Sequence, residues 1–295
     1  MTERFPPPEL PDWLSEQLPF DRYTVDVDDG LHMHVMEQGE GRPVVLFHGN
    51  PTWGYLYRKV AAELAGQPVR LIMPDMIGLG FSDRPDLMSD HTLANHARWM
   101  STLISKLELS EAVAVVQDWG GAVGLLSMRN NPGLMTGLVV LNTQLGPPKP
   151  GFTPTRFHRI LSSRLGGFLP WQNHLRFAQS DRASIRGIVQ QSYNYPLGKS
   201  NGGGAAVHAL IRMVPDSLDH PSIPLLTEME EFVEAYDGPN AIVWGRRDPI
   251  LGKILRRINR QLPNAVVTVT DAGHFLQEEV PVEIAAAIRD VIARS

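Results

Sequence analysis

Short apolar runs separated by helical patterns constrain this chain more than any other feature. Residues 43–47, 70–73, 112–116 and 138–141 come in turn, and 241–244 and 265–270 resume the series much later. Runs this short that are almost wholly apolar predict strands covered on both faces, as in a mostly parallel sheet. Helical patterns at 92–107, 122–129 and 281–293 supply the covering layers. Ahead of the series, residues 23–27 and 31–37 alternate as half-buried strands do, and Asp29-Gly30 between them predicts a tight turn.

The strand rhythm lapses between Leu141 and Ala241. That interval opens with GPPKPGFTP, places aromatic and apolar residues at helical spacing, and contains Asn201-Gly-Gly-Gly204, expected to be a flexible loop. The layout is an α/β core of residues 1–143 and 216–295 with a helical cap, 144–215, inserted late. Ligands of open parallel sheets sit beyond the carboxyl ends of the strands. A cap there would close such a site from water.

Composition removes several functions. Cysteine is absent from the 295 residues, which excludes disulfides, thiolate metal sites and a cysteine nucleophile. The net charge is −5 with no basic block, so nucleic acid and anionic membranes are poor partners. The first residues, MTERFPPPEL, lack a positive-then-apolar leader pattern, and no apolar run is long enough to span a bilayer. A cytoplasmic location is the expectation. No HExxH pattern or His/Cys cluster calls for a metal, and no cofactor is expected.

The chemistry concentrates in Val116-Gln117-Asp118-Trp119-Gly120-Gly121. A strand, a sharp turn flanked by small residues and a helix make the setting of a nucleophile elbow, here with aspartate where serine would stand. Capping the following helix is the plainer role for such an Asp. Two partners shift the balance. Asp248, in WGRRDP, follows one late strand, and His274, in DAGHFLQEE, follows the next. The order nucleophile, acid, histidine is that of the α/β-hydrolases, each residue at a strand's carboxyl end. His48-Gly49-Asn50-Pro51 follows residues 43–47, so the backbone N–H groups of Asn50 and Trp119 are the expected oxyanion-hole donors. His48 itself is expected to be structural.

HGNPTW, PDMIGLGFSDRP, VVQDWGG, WGRRDP and GHFLQEE, in that order, resemble the haloalkane dehalogenases over nearly the whole chain outside the cap. The resemblance implies an α/β-hydrolase fold with a mostly parallel eight-stranded sheet flanked by helices. It implies Asp118 as nucleophile, His274 as base, Asp248 as acid, and the Trp119 indole with the Asn50 carboxamide as halide clamp. Its substrates would be a small halogenated alkane and water. Other members place the acid after the strand following the elbow helix. Here that station is Asn142, which cannot serve as a carboxylate and is expected to matter much less than Asp248. Others again take the second halide donor from a cap tryptophan, and Trp171 is a weaker candidate for that part.

The choice of aspartate carries its own logic. Serine attacking a saturated carbon would leave an ether that water cannot readily cleave. A carboxylate leaves an ester, whose carbonyl then becomes the electrophile for water. Aspartic acid ionises at about pH 3.9, so the first step needs no base. Haloalkanes and epoxides both fit. An epoxide hydrolase would protonate the epoxide oxygen from cap tyrosines, and Tyr193 and Tyr195 lie in the cap, though i and i+2 on a helix do not face one ligand. A luciferase-like monooxygenase or a ligand receptor on the same scaffold is the other alternative.

Overall fold

The computed structural model of the protein describes residues 2–85, 87–149, 174–198 and 203–295. Eight strands form one sheet: β1 (Asp21–Asp28), β2 (Leu31–Gln38), β3 (Arg42–Phe47), β4 (Val69–Pro74), β5 (Ala112–Val116), β6 (Met135–Leu141), β7 (Asn240–Gly245) and β8 (Val266–Thr270). Their spatial order is β1-β2-β4-β3-β5-β6-β7-β8. β2 runs antiparallel to β1 and β4, and the remaining pairs are parallel. The hairpin joining β1 to β2 turns at Asp29 and Gly30, with φ of 40° and 92°. Both residues take the positive φ that a tight hairpin turn demands.

The described helices are α1 (Asp12–Ser15), α2 (Arg58–Glu63), α3 (Leu93–Lys106), α4 (Trp119–Arg129), α5 (His174–Phe177), α6 (Ile188–Gly198), α7 (Gly203–Arg212), α8 (Ile223–Glu234), α9 (Leu255–Gln261) and α10 (Pro281–Arg294). Thr92 caps α3, its hydroxyl accepting the Asn95 N–H at 3.1 Å. The central strands bury both faces because successive side chains point to opposite layers. In β5, Ala112, Ala114 and Val116 join the core with α3, α4 and α8, whereas Val113 and Val115 join the core with α2 and α10. Each Val or Leu so buried contributes about 1.5–3 kcal/mol. α4 is buried from Gly120 through Met128, since α3 and α8 pack on either side and the sheet lies beneath. Its start at Trp119, earlier than the periodicity from Ala122 suggests, brings the helix directly onto Asp118.

Two expectations from the sequence change. β8 is an edge strand, with Val266, Val267 and Val269 exposed, because among the described residues no strand lies beyond it to cover the run. Within NGGG, Asn201 and Gly202 lie outside the described residues, while Gly203 and Gly204 open α7 instead of forming a loop. Trp171 and most of GPPKPGFTP also lie outside the described residues. Among the described residues, no helix is long and apolar enough to cross a membrane.

Candidate active site

The carboxyl ends of β3, β5, β6, β7 and β8 deliver one cluster of polar side chains. Asp118, directly after β5 and Gln117, has φ 48° and ψ −127°. A non-glycine residue held there costs on the order of 1–3 kcal/mol and persists only where its surroundings enforce it. The enforcement is visible. The Asp118 N–H donates to the Asn142 carbonyl at 3.0 Å. Its own carbonyl accepts from the Gly121 N–H at 3.0 Å and the Thr143 hydroxyl at 2.6 Å. Gly49 passes so close that a Cβ there would run into the Asp118 side chain.

The Asp118 side chain caps no helix N–H. Its Oδ1 instead accepts the backbone N–H of Asn50 at 2.8 Å, and its Oδ2 lies 3.4 Å from His274 Nε2. That displaces the capping reading. Trp119, the first residue of α4, has no preceding helical turn to take its N–H, so a second backbone donor stands beside the first.

On the far side of the imidazole, His274 Nδ1 lies 2.8 Å from Asp248 Oδ2. Burial disfavours the histidine cation, but Asp248 foremost, then Asp118, outweigh it and push the His274 pKa up to about 10. Burial likewise disfavours the Asp248 carboxylate, but His274, Asn142 and the Ile250 N–H hold it below the usual carboxylate range. His48 is buried and held neutral by that burial. Its Nε2 accepts the Met76 N–H at 2.9 Å, leaving Nδ1–H to donate to the Gly49 carbonyl at 3.0 Å, so it braces the loop as expected.

The Asn50 carboxamide donates to the Val207 carbonyl of α7 at 3.1 Å. Trp119 is partly buried against the core, and its indole N–H has no acceptor among the described residues. The indoles of Trp53, Trp99 and Trp244, by contrast, each donate to a protein oxygen. A buried indole normally finds such a partner. Chemically, the cluster offers a carboxylate nucleophile, a base with its counter-charge, backbone donors for an oxyanion and two side-chain N–H donors. Among the described residues, no group of three or more His, Asp or Glu is placed to hold a metal ion.

The model of the alpha/beta hydrolase fold family matches residues 42–281. The haloalkane dehalogenase of Mycobacterium marinum is 34% identical over 281 residues, spanning 92% of this chain and 93% of that protein. This chain belongs to the haloalkane dehalogenase family. The tetrameric haloalkane dehalogenase DpaA of Paraglaciecola agarilytica superimposes with a TM-score of 0.82 at 24% identity, over 97% of this chain and 98% of that one. The epoxide hydrolase CorEH superimposes at 0.77 with 21% identity, over 93% and 99%. At these identities the two superpositions show the fold alone.

Against that family background, the structure brings Asp118, His274, Asp248, Asn50 and Trp119 to one place. It also gives parts to Asn142, which the sequence led us to expect to matter much less than Asp248, and to Gln179, which sequence reasoning passed over. Asn142, fully buried, donates from Nδ2 to Asp248 Oδ2 at 2.7 Å and to the Gly245 carbonyl at 2.9 Å. Its Oδ1 accepts the Gly245 N–H at 2.7 Å. Gln179 clasps the histidine loop, its Oε1 accepting the Phe275 N–H at 2.9 Å and its Nε2 donating to the Phe275 carbonyl at 3.1 Å. The His274 N–H donates to the Ala178 carbonyl at 2.8 Å. An asparagine at the vacant acid station was the available signal for Asn142. Gln179 had none, because its partner lies far along the chain.

The cap tyrosines face different neighbours. Tyr193 is buried, with its hydroxyl donating to Glu278 at 2.6 Å, where Arg58 and Lys59 also pair. The Tyr195 ring packs edge-on to Trp13, with ring centroids 5.4 Å apart.

Proposed function

We propose that this chain hydrolyses carbon–halogen bonds of halogenated alkanes through a covalent ester on Asp118. The observation that carries the reading is a carboxylate on a strained elbow, 2.8 Å from the Asn50 N–H and 3.4 Å from a histidine that Asp248 backs. Asp118 attacks the saturated carbon, the carbon–halogen bond breaks, and the halide leaves with the bonding pair. The Trp119 indole and the Asn50 carboxamide stabilise that halide. Hydrogen bonds to charged groups contribute about 1.5–3 kcal/mol each, so losing either donor costs roughly tenfold or more in rate.

Water then attacks the ester carbonyl while His274 Nε2 takes its proton and Asp248 stabilises the cation. The Asn50 and Trp119 N–H groups hold the oxyanion. Collapse breaks the bond to the alkyl oxygen, which takes the proton from His274 and leaves as the alcohol. Asp118 ionises again, so the balance is haloalkane plus water to alcohol, halide and a proton. Residues 144–215 act as the cap, consistent with the Val207 carbonyl of α7 meeting Asn50.

Tyr193 bears on the epoxide alternative. Its hydroxyl donates to Glu278, away from the nucleophile's hydrogen-bond partners, which leaves that tyrosine unsuited to protonate an epoxide bound at Asp118. The test is halide release from a panel of bromo- and iodoalkanes, run beside styrene oxide hydrolysis. Halide release that disappears in Asp118→Ala supports the proposal. Diol formation without halide release moves the same residues to epoxide chemistry.

A further inference from the structure

Gln117 stands between β5 and Asp118, fully buried. Its Nε2 donates to the backbone carbonyl of His274 at 3.2 Å and lies 3.4 Å from the Nε2 of the same residue. Its Oε1 is buried and has no partner among the described residues. A carboxamide nitrogen has two hydrogens. With one committed to the carbonyl, the other is available to the ring nitrogen. A half-turn of the amide would set its oxygen against the His274 carbonyl oxygen, so that bond fixes the nitrogen toward the ring.

The consequence depends on the state of the ring. Neutral His274, with Nδ1–H on Asp248, presents a lone pair at Nε2, which suits a donor. The imidazolium presents an N–H there, and two donors then face each other. Asp248 and Asp118 are the charged groups acting on the ring, and both favour the cation. The segment packed against the histidine loop contributes the Ala178 carbonyl and the Gln179 carboxamide, both uncharged. Gln117 therefore pulls the other way. While Asp118 is ionised, the carboxylates dominate. Once Asp118 is an ester its charge is gone, and the amide of Gln117 then acts with less opposition at the moment a base is needed.

We propose that Gln117 is a positioning residue for ester hydrolysis, orienting His274 through its backbone carbonyl and favouring the form whose Nε2 accepts a proton. The inference rests on the covalent mechanism proposed above.

The test separates the two half-reactions. Native enzyme, Gln117→Met and Gln117→Glu are mixed with excess 1-bromobutane, and the halide burst and the decay of alkylated enzyme are followed by rapid quench and mass spectrometry across pH 6 to 10. Gln117→Met keeps the volume and removes the donor. Its burst should stay within about threefold of native, while ester decay slows roughly tenfold and adduct accumulates. Gln117→Glu adds a carboxylate facing the ring, so the rise of ester decay with pH should move to higher pH. If the methionine variant does not fold, the glutamate profile carries the test. Native decay with an unchanged pH profile overturns the proposal, as does equal loss of burst and decay. No burst from native enzyme overturns the dehalogenase mechanism itself, a different result from a normal burst with unaltered decay.

Discussion

Replacing Asn142 by alanine tests whether the acid is held by a built clamp. Three hydrogen bonds disappear together: Nδ2 to Asp248 at 2.7 Å, Nδ2 to the Gly245 carbonyl at 2.9 Å, and the Gly245 N–H to Oδ1 at 2.7 Å. The first is made to a charged group and is worth about 1.5–3 kcal/mol, and the Gly245 N–H left without a partner costs about 1–3 kcal/mol, while the Gly245 carbonyl keeps the Asp248 N–H at 3.3 Å. Allowing for partial relaxation, a destabilisation of roughly 3–5 kcal/mol follows. For a domain of this size each kcal/mol lowers Tm by about 2–4 °C, so a fall of roughly 6–20 °C is expected. Asp248 keeps the Ile250 N–H at 2.6 Å and His274 at 2.8 Å, so the base loses aim without losing its counter-charge. Turnover should fall about tenfold, equivalent to about 1.4 kcal/mol in the barrier. Thermal unfolding and steady-state halide release at one pH read both effects. A Tm within about 2 °C of native, with turnover intact, refutes the clamp. A lowered Tm with native turnover confines Asn142 to folding.

Asp248→Asn should cut turnover more severely, by on the order of a hundredfold or beyond, because the imidazolium loses its buried partner. Steady-state halide release checks the ranking. His274→Phe should still alkylate but not hydrolyse, leaving a mass gain of one alkyl group on Asp118 by mass spectrometry. In the native protein the His274 pKa is raised to about 10, so its ion pairing stabilises the fold fully below its ordinary value and is lost as pH rises through about 10. Asp118→Asn should bring that loss to lower pH, read by NMR titration of the imidazole and by Tm against pH. Tyr193→Phe should lower stability by about 1–2 kcal/mol through the lost bond to Glu278 while turnover persists, as thermal unfolding and halide release would show.

Much of the fold and of the site is legible in the amino-acid order because its signals are local. The strand at 112–116 and the turn at Asp29-Gly30 follow from side-chain character over a few positions, and both stand where the pattern puts them. The elbow is legible because strand, Asp and Gly-Gly occur in one unbroken stretch. Pairing at a distance is not. Asn142 reaches an acid 106 positions away and Gln179 a loop 96 positions away; Asn142 is marked only by standing at the vacant acid station, and Gln179 leaves no trace in its own neighbourhood. The exposure of β8 is hidden for a related reason. An edge strand and a covered strand can share one composition, and only the order of the sheet tells them apart.

In the proposed mechanism, the site's charges explain how one histidine can be quiet in the first step and basic in the second. Before reaction two carboxylates flank His274, and both raise the ring's affinity for a proton. A proton there does not impede Asp118. Its Oδ1 is bound by the Asn50 N–H, and Oδ2, at 3.4 Å from the ring, is only loosely engaged. Alkylation, as proposed, would convert Asp118 to a neutral ester and remove one of the two charges that favour a proton on the ring. Departure of the halide removes another negative charge from the pocket. Each event lowers the ring's affinity for its proton, so covalent bond formation itself releases the base. Serine at the same elbow could not do this, because its resting form carries no charge to lose.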